Sequence, residues 1–153
     1  MNLIRPATDR DICRLCEIEI FNYRLNFYPI FKNDDFYFQE LQVSTLMEGY
    51  LKDIMHLENT FVYDDGVIKG FIRVEGKQIV KLFVEPVLHS QGIGSALLSF
   101  ALTNTEASFL WALEKNFRAI AFYQNHGFRK TEERIPEEGT EEYLIKLSLD
   151  TMN

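Results

Sequence analysis

The chain has 153 residues, 46% of them hydrophobic and 25% charged, with a formal net charge of -7 at pH 7. This length and composition are typical of one soluble globular domain, which we predict to span residues 1–153. The acidic balance without a basic stripe argues against nucleic acid and anionic membranes as partners, and no apolar run approaches the ~18 residues of a membrane span.

The first part of the chain predicts a short strand and two helices. Residues 3–5 form the strand, and a pattern resembling a capping box at residues 8–11 starts the first helix. Glu19 and Asn22 lie on the edge of the apolar face of that helix. A further helix is expected from about residue 45 to residue 56.

Eight aromatic side chains lie within residues 21–38, a density typical of a core or a dimer contact, with a pocket-lining role as the alternative. They are Phe21, Tyr23, Phe27, Tyr28, Phe31, Phe36, Tyr37 and Phe38.

A β-meander occupies the middle of the chain. Strands at 60–63 and 67–74 flank an Asp-Asp-Gly turn, which is a strong hairpin signal. A second turn leads into an apolar strand at 80–84, so three antiparallel strands follow one another.

The turn after this meander predicts an anion site. Pro86 ends the strand, Gly92 and Gly94 allow a close backbone approach, and apolar residues at helical spacing continue to about residue 103. A helix start presents free N–H groups and a partial positive charge, which suit a phosphate or pyrophosphate. The lysine of a P-loop is missing after Gly94, and Leu97 replaces the third small residue of a dinucleotide fingerprint. A tight turn without a ligand is the remaining alternative.

The last third of the chain predicts a buried strand, a helix and a final pair of strands. The apolar strand covers residues 109–113, and Asn116 opens a helix that Gly127 stops. Strands at 128–134 and 142–149 follow. Together the elements predict an α+β fold, a mixed sheet with helices on both faces.

Cys13 and Cys16 form a C-x-x-C pattern, which a redox pair or half of a zinc site would also show. Zinc needs two more ligands at motif spacing, and His56, His89 and His126 are scattered singly, so we predict no metal. A thioredoxin-type pair would follow a strand at a helix start, whereas these residues lie a turn inside a helix. We predict small, reduced core residues of a cytoplasmic protein.

Two segments carry motifs in a characteristic order. The first, L-F-V-E-P-V-L-H-S-Q-G-I-G-S-A-L-L, is similar to a strand followed by Q/R-x-x-G-x-G/A, with histidine at the first motif position. The second, N-F-R-A-I-A-F-Y-Q-N-H-G-F, matches N-x-x-A-x-x-F-Y-x-x-x-G-F. Both resemble motifs of the GNAT N-acetyltransferases, which use acetyl-CoA. The opening I-R-P-A-T-D-R-D and the hairpin D-D-G-V-I-K-G-F also resemble the family, so the likeness covers almost the whole chain.

The resemblance implies a mostly antiparallel sheet of six or seven strands, splayed between the fourth and fifth so that the pantetheine arm enters the gap. Backbone groups of Leu82, Phe83 and Val84 would bind the pantetheine and polarise the thioester carbonyl. The other cofactor-binding residues that it implies are His89, Gln91, Gly92, Ile93, Gly94, Ser95, Asn116, Ala119, Phe122 and Tyr123.

Tyr123 is the catalytic residue that the resemblance implies, because a phenol near the cofactor sulfur can protonate the departing thiolate. A buried core tyrosine is the alternative. The chain departs from the family at His89, where glutamine or arginine is usual. Since a neutral imidazole is a poorer phosphate partner than a guanidinium, we expect backbone amides to hold most of the pyrophosphate.

The base that deprotonates the acceptor amine is not identified. Some family members place a glutamate near the start of the fourth strand, where this chain has Gln78. Glu19, Glu75 and Glu85 are candidates, directly or through water, although each is expected to be a solvated surface carboxylate.

We therefore predict an N-acetyltransferase that moves acetyl from acetyl-CoA to a primary amine by direct attack in a ternary complex. A ping-pong route is disfavoured because no cysteine lies near the cofactor turn. The alternative is a non-catalytic CoA- or acyl-CoA-binding sensor or interaction domain. Residues 19–50 are expected to form the acceptor wall, while the acceptor's identity and a homodimer are left open.

Overall fold

The strand-forming segments assemble into one seven-stranded sheet in the computed structural model, which describes residues 3–149. The strands are β1 (Ile4–Pro6), β2 (Thr60–Asp64), β3 (Ile68–Glu75), β4 (Gln78–Val84), β5 (Phe109–Leu113), β6 (Phe128–Pro136) and β7 (Tyr143–Leu149). Their spatial order is β1-β2-β3-β4-β5-β7-β6, and within these residues only β4 and β5 run parallel. The predicted mixed, mostly antiparallel sheet is confirmed.

Helices flank this sheet and connect its strands. They are α1 (Ile12–Asn26), α2 (Tyr28–Phe31), α3 (Val43–Lys52), α4 (Ile54–Glu58), α5 (Ile93–Asn104) and α6 (Phe117–Gln124), with a 3-10 turn at Asp9–Asp11 and a π-helical turn at Phe36–Glu40. The expected capping box is present, since the Asp11 carboxylate accepts from Thr8 N at 2.8 Å. The helix expected over 45–56 is in fact two helices, because Asp53 accepts from Met55 N and starts α4.

Successive residues of β3 point to opposite faces of the sheet, so the strand divides two cores. Ile72 packs with Leu97 of α5 in one cluster, while Phe71 packs with Leu15 and Ile18 of α1 in another. The sheet is thus the middle layer between α1 and α5, which confirms helices on both faces.

β4 and β5 separate soon after they meet. Among the described residues they pair at one position, Gln78 with Phe109. Beyond it β4 stays paired with β3 as far as Val84, and β5 stays paired with β7 as far as Leu113. Because each strand follows a different neighbour, a gap opens between their carboxyl ends, and the expected splay between the fourth and fifth strands is confirmed.

The two cysteines occupy different environments. Cys16 is buried, and burial raises the pKa of its thiol to about 12, whereas Cys13 is exposed. The expectation of two core residues is therefore wrong for Cys13, which lies outside the buried face that α1 forms with Leu15, Cys16 and Glu19. Within residues 3–149 no helix is both long and apolar enough to cross a bilayer.

Candidate active site

The gap between β4 and β5 is the floor of a cleft of about 970 Å³. A cleft of this size accommodates a small-molecule ligand or cofactor. Of the expected cofactor residues, Gln91 alone is absent from the described lining. The others line the cleft: Leu82, Phe83, Val84, His89, Gly92, Ile93, Gly94, Ser95, Asn116, Ala119, Phe122 and Tyr123.

The glycine-bearing turn lies at one end of the cleft. Ser90 and Gly92 both have positive φ, 67° and 86°, and Gly92 directly precedes α5. The first hydrogen bond of this helix runs from Ala96 N to Gly92 O at 3.0 Å. The preceding amides of the first turn therefore have no intrahelical acceptor, and they fit the oxygens of a pyrophosphate.

His126 links the two helices at this end, a role that the sequence did not suggest. Its Nδ1 donates to the carbonyl oxygen of Phe122 at 2.8 Å, and its Nε2 lies 3.0 Å from Ser95 Oγ. The ring joins the end of α6 to the first turn of α5. His126 stands at an unspecified position of the second motif, so only the tertiary contact with Ser95 reveals it.

His89 contacts the end of β4. Its Nε2 lies 2.9 Å from the Val84 carbonyl oxygen, which also accepts from Asn22 Nδ2 at 2.9 Å. Burial lowers the pKa of His89. The imidazole therefore holds the strand end as a neutral donor, and the Val84 carbonyl already has two hydrogen-bond donors.

Tyr123 lies on α6 and faces the gap between the strands. Its side chain is 8% exposed, and its ring packs edge-on against Phe122 and Phe128 at centroid distances of 5.2 and 5.5 Å. Burial raises the pKa of the phenol, so the hydroxyl keeps its proton. Asn116 caps the same helix through Oδ1, 3.4 Å from Ala119 N. Tyr123 lines the cleft, where it can contact a ligand.

The three candidate bases have different environments. Glu75 is exposed and lies 3.1 Å from Arg73 Nε, and Glu85 lies 3.2 Å from an Arg14 Nη1. Glu19 is 1% exposed, so the expectation that it is a solvated surface carboxylate is wrong. Its partner Lys81 lies on β4, 62 residues further along the chain, so no local sequence pattern predicts this contact.

The other end of the cleft is the expected acceptor end. This end is lined by α1, α2 and the π-helical turn, which fall within the residues 19–50 expected to form the acceptor wall, and by the loop between β6 and β7. The lining residues are Asn22, Tyr23, Asn26, Phe27, Phe31, Asn33, Phe36, Tyr37, Glu137, Glu138 and Thr140. The described part of the chain contains no group of three or more histidine, cysteine or acidic side chains arranged to hold a metal ion.

The chain is similar in sequence to an acetyltransferase family model and to two N-acetyltransferases. Residues 56–130 match a family model described as an acetyltransferase (GNAT) domain. The peptidyl-lysine N-acetyltransferase YjaB of Salmonella typhimurium is 36% identical over 62 residues, 40% of this chain and 43% of that protein. YiaC of Escherichia coli, with the same description, is 33% identical over 76 residues, 49% of this chain and 52% of that protein. The chain spans about half the length of the curated relatives it matches.

Solved structures share the fold over nearly the full length. The solution structure of apo-form YjaB from Escherichia coli has a TM-score of 0.72 at 21% identity and covers 97% of both chains. The PaiA N-acetyltransferase of Thermoplasma acidophilum, in complex with coenzyme A, has a TM-score of 0.69 at 16% identity, covering 94% of this chain and 96% of that one. YncA of Salmonella typhimurium, a putative acetyltransferase with acetyl-CoA, has a TM-score of 0.66 at 19% identity, covering 98% and 95%.

Proposed function

We propose that this chain, whose residues 56–130 match the GNAT acetyltransferase domain model, transfers the acetyl group of acetyl-CoA to a primary amine by direct attack in a ternary complex. The single observation that carries the proposal is the separation of β4 from β5 after the pair Gln78–Phe109, with the start of α5 at the mouth of the gap. The gap between the strands can hold a pantetheine arm, and the free amides at the start of α5 can bind a pyrophosphate.

We propose that the first-turn amides of α5 and the turn before it bind the pyrophosphate, and that the β4 backbone at Leu82 and Phe83 binds the pantetheine. Bound acetyl-CoA would supply an activated acetyl thioester. Val84 would contribute less, because its carbonyl oxygen already accepts from two side chains. The complexes of PaiA with coenzyme A and of YncA with acetyl-CoA support this assignment by analogy of fold.

Tyr123 is proposed to protonate the departing thiolate. Its hydroxyl keeps its proton because burial raises its pKa, and it lines the cleft beside α6. A proton donor of this kind commonly contributes about 10²–10⁴-fold to rate. Positioning of the two substrates in the gap would supply much of the remaining acceleration.

For the acceptor we propose a lysine side chain on a peptide, which is what YjaB and YiaC are named for. The aromatic wall formed by Phe27, Phe31 and Phe36 suits the aliphatic stem of a lysine. One domain over residues 1–153 and a cytoplasmic location stay predictions from the sequence, and a homodimer stays open.

The test is thiol release from acetyl-CoA across a panel of lysine peptides, peptide N-termini and polyamines, with coenzyme A affinity measured by calorimetry. Thiol release coupled to acetylation of a lysine peptide supports the proposal. Tight coenzyme A binding without turnover on any amine would favour the sensor alternative instead. That alternative draws on Gln78, which replaces the glutamate of some family members and cannot accept a proton.

A further inference from the structure

A buried polar cluster lies beside the acceptor end of the cleft, centred on Glu19 of α1. Within residues 3–149 its carboxylate accepts from Lys81 Nζ at 2.6 Å and Tyr23 Oη at 2.8 Å, both on Oε2, and from Tyr50 Oη at 3.4 Å on Oε1. A buried ion pair is weak evidence for stability, since apolar residues of similar volume often stabilise a core as well or better. The cluster is therefore better explained by function than by packing.

Two of these donors face the cleft, whereas the carboxylate lies behind them. Tyr23 and Lys81 line the cleft. The ring of Tyr23 packs edge-on against Phe83, with centroids 5.4 Å apart. Because the Phe83 backbone is proposed to bind the pantetheine, Tyr23 lies next to the part of the gap where the thioester and the acceptor amine would meet.

The hydrogen bond from Tyr23 to Glu19 has a defined direction. Burial and the negative charge of Glu19 raise the pKa of Tyr23, so the phenol stays protonated. Its hydroxyl donates a hydrogen bond to the carboxylate. The lone pairs of the phenol oxygen then remain to accept a hydrogen bond. Burial lowers the pKa of Lys81, with the charge of Glu19 opposing this effect, and Lys81 as an ammonium offers donors only.

We propose that Tyr23 and Glu19 form the proton relay that deprotonates the acceptor amine, an inference that rests on the proposed acetyl transfer. A proton of the acceptor ammonium passes to the Tyr23 oxygen as the phenol's own proton passes to Glu19 Oε2. The products of this step are a neutral amine, a neutral tyrosine and a protonated Glu19. The amine lone pair then forms the C–N bond as the C–S bond breaks, and the thiolate takes the proton of Tyr123. The second proton lost by the acylated nitrogen restores the Tyr123 phenol, and the proton on Glu19 leaves by the reverse route.

Further charged and titratable groups lie around this cluster. The charged and titratable groups that act on the cluster from the neighbouring elements are Lys81 of β4, Arg73 of β3, Tyr50 of α3 and Cys16 of α1. Lys81 forms an ion pair with Glu19, with its Nζ 2.6 Å from Oε2. Like Glu19, the other candidates Glu75 and Glu85 are not part of the described cleft lining, but their arginine partners Arg73 and Arg14 do not line it either, whereas Tyr23 and Lys81 do.

The relay is tested with two matched peptides. One carries lysine, and the other carries glutamic acid γ-hydrazide at the same position, whose terminal nitrogen is unprotonated at neutral pH and needs no base. In Glu19→Gln and in Tyr23→Phe we expect kcat for the lysine peptide to fall by about 10², with far less effect on the hydrazide peptide. Coenzyme A affinity should stay at the wild-type value. Tyr50→Phe, which removes the same kind of hydroxyl from the carboxylate but outside the cleft, should retain the wild-type ratio between the peptides.

Equal losses on both peptides, or no loss on the lysine peptide, would overturn the relay. The wild-type protein gives a second test that does not depend on the folding of any variant. With the relay, kcat for the lysine peptide becomes independent of pH well below the pKa of lysine. A tenfold rise per pH unit up to that pKa would overturn the relay while leaving acetyl transfer intact. Absence of thiol release with every amine would instead overturn the proposed function, and the relay with it.

Discussion

His89 donates from Nε2 to the carbonyl oxygen of Val84, 2.9 Å away, at the last residue of β4. Its Nδ1 is buried without a hydrogen-bond partner in the described part of the chain. Protonation of His89 would place a second donor in that unpartnered position, which agrees with the pKa lowered by burial. The family has glutamine or arginine at this motif position. In this chain the position is a neutral histidine that donates a hydrogen bond to the last carbonyl of β4.

The first prediction concerns stability against pH. The pKa of His89 is lower in the folded protein than the ordinary value near 6.5, so the unfolded chain binds more protons as pH falls below that value. The contribution of His89 is therefore fully present above about pH 6.5 and is lost as pH falls towards the folded pKa. His89→Gln keeps a donor for Val84 but does not titrate.

Urea unfolding at pH 7.5 and pH 5.5 measures this effect. The loss of stability on acidification should be smaller in His89→Gln than in the wild-type protein. His56→Gln, which leaves the contact with Val84 intact, serves as the control and should keep the wild-type loss. If all three proteins lose the same stability between pH 7.5 and pH 5.5, His89 does not contribute to the pH dependence.

The second prediction concerns Tyr123. Replacement by phenylalanine keeps the ring contacts with Phe122 and Phe128 but removes the proton donor, so kcat should fall by roughly 10² while coenzyme A affinity stays nearly unchanged. Steady-state kinetics and calorimetry separate these two quantities. Tyr63→Phe, a tyrosine of β2 outside the described cleft lining, is the matched control. Unchanged kcat in Tyr123→Phe would exclude this residue from the reaction.

The third prediction concerns Gly92 in the cofactor turn. It distinguishes a loss of coenzyme A binding from the loss of stability that alanine causes at any glycine with positive φ. Gly92 and Gly66 both have positive φ, 86° and 112°, and a Cβ on either would meet nothing within 4 Å. Alanine at either position should cost about 1 kcal/mol of unfolding free energy through backbone strain. Only Gly92→Ala should weaken coenzyme A binding, because Gly92 precedes the amides of α5. Equal coenzyme A affinities in the two variants would contradict the proposed pyrophosphate site.

The fourth prediction concerns packing beneath α5. A Cβ on Gly70 of β3 would lie 2.9 Å from the Phe83 carbonyl oxygen and 3.2 Å from Leu97 Cδ1, and the backbone oxygen cannot move cheaply. Gly70→Ala should therefore destabilise the protein by about 1–3 kcal/mol.

Gly49 of α3 provides the matched control, since a Cβ there would meet nothing within 4 Å. Gly49→Ala should stabilise the protein by about 0.5–1 kcal/mol, because alanine loses less backbone entropy in a helix. Denaturant midpoints measure both changes. A stable Gly70→Ala protein would show that β3 and β4 can shift apart under α5.

The sequence by itself determined the elements whose signals are local. Strand β5 was predicted at residues 109–113, and the hairpin of β2 and β3 and the start of α5 were predicted within one or two residues. These signals are short-range: alternation of apolar residues, Gly and Pro at turns, and a glycine-bearing helix start. The same local motifs placed the cofactor residues along the chain, and nearly all of them line the cleft.

Only the tertiary structure decided which of these residues meet. The depth of the gap depends on β4 following β3 while β5 follows β7, which no local pattern specifies. Glu19 was expected on the edge of an apolar helix face, and it is buried because Lys81 supplies a counter-charge from a distant strand. The periodicity of a helix sequence places an acidic residue on or beside the polar face. Whether the residue is buried depends on a charged partner that only the folded chain brings next to it.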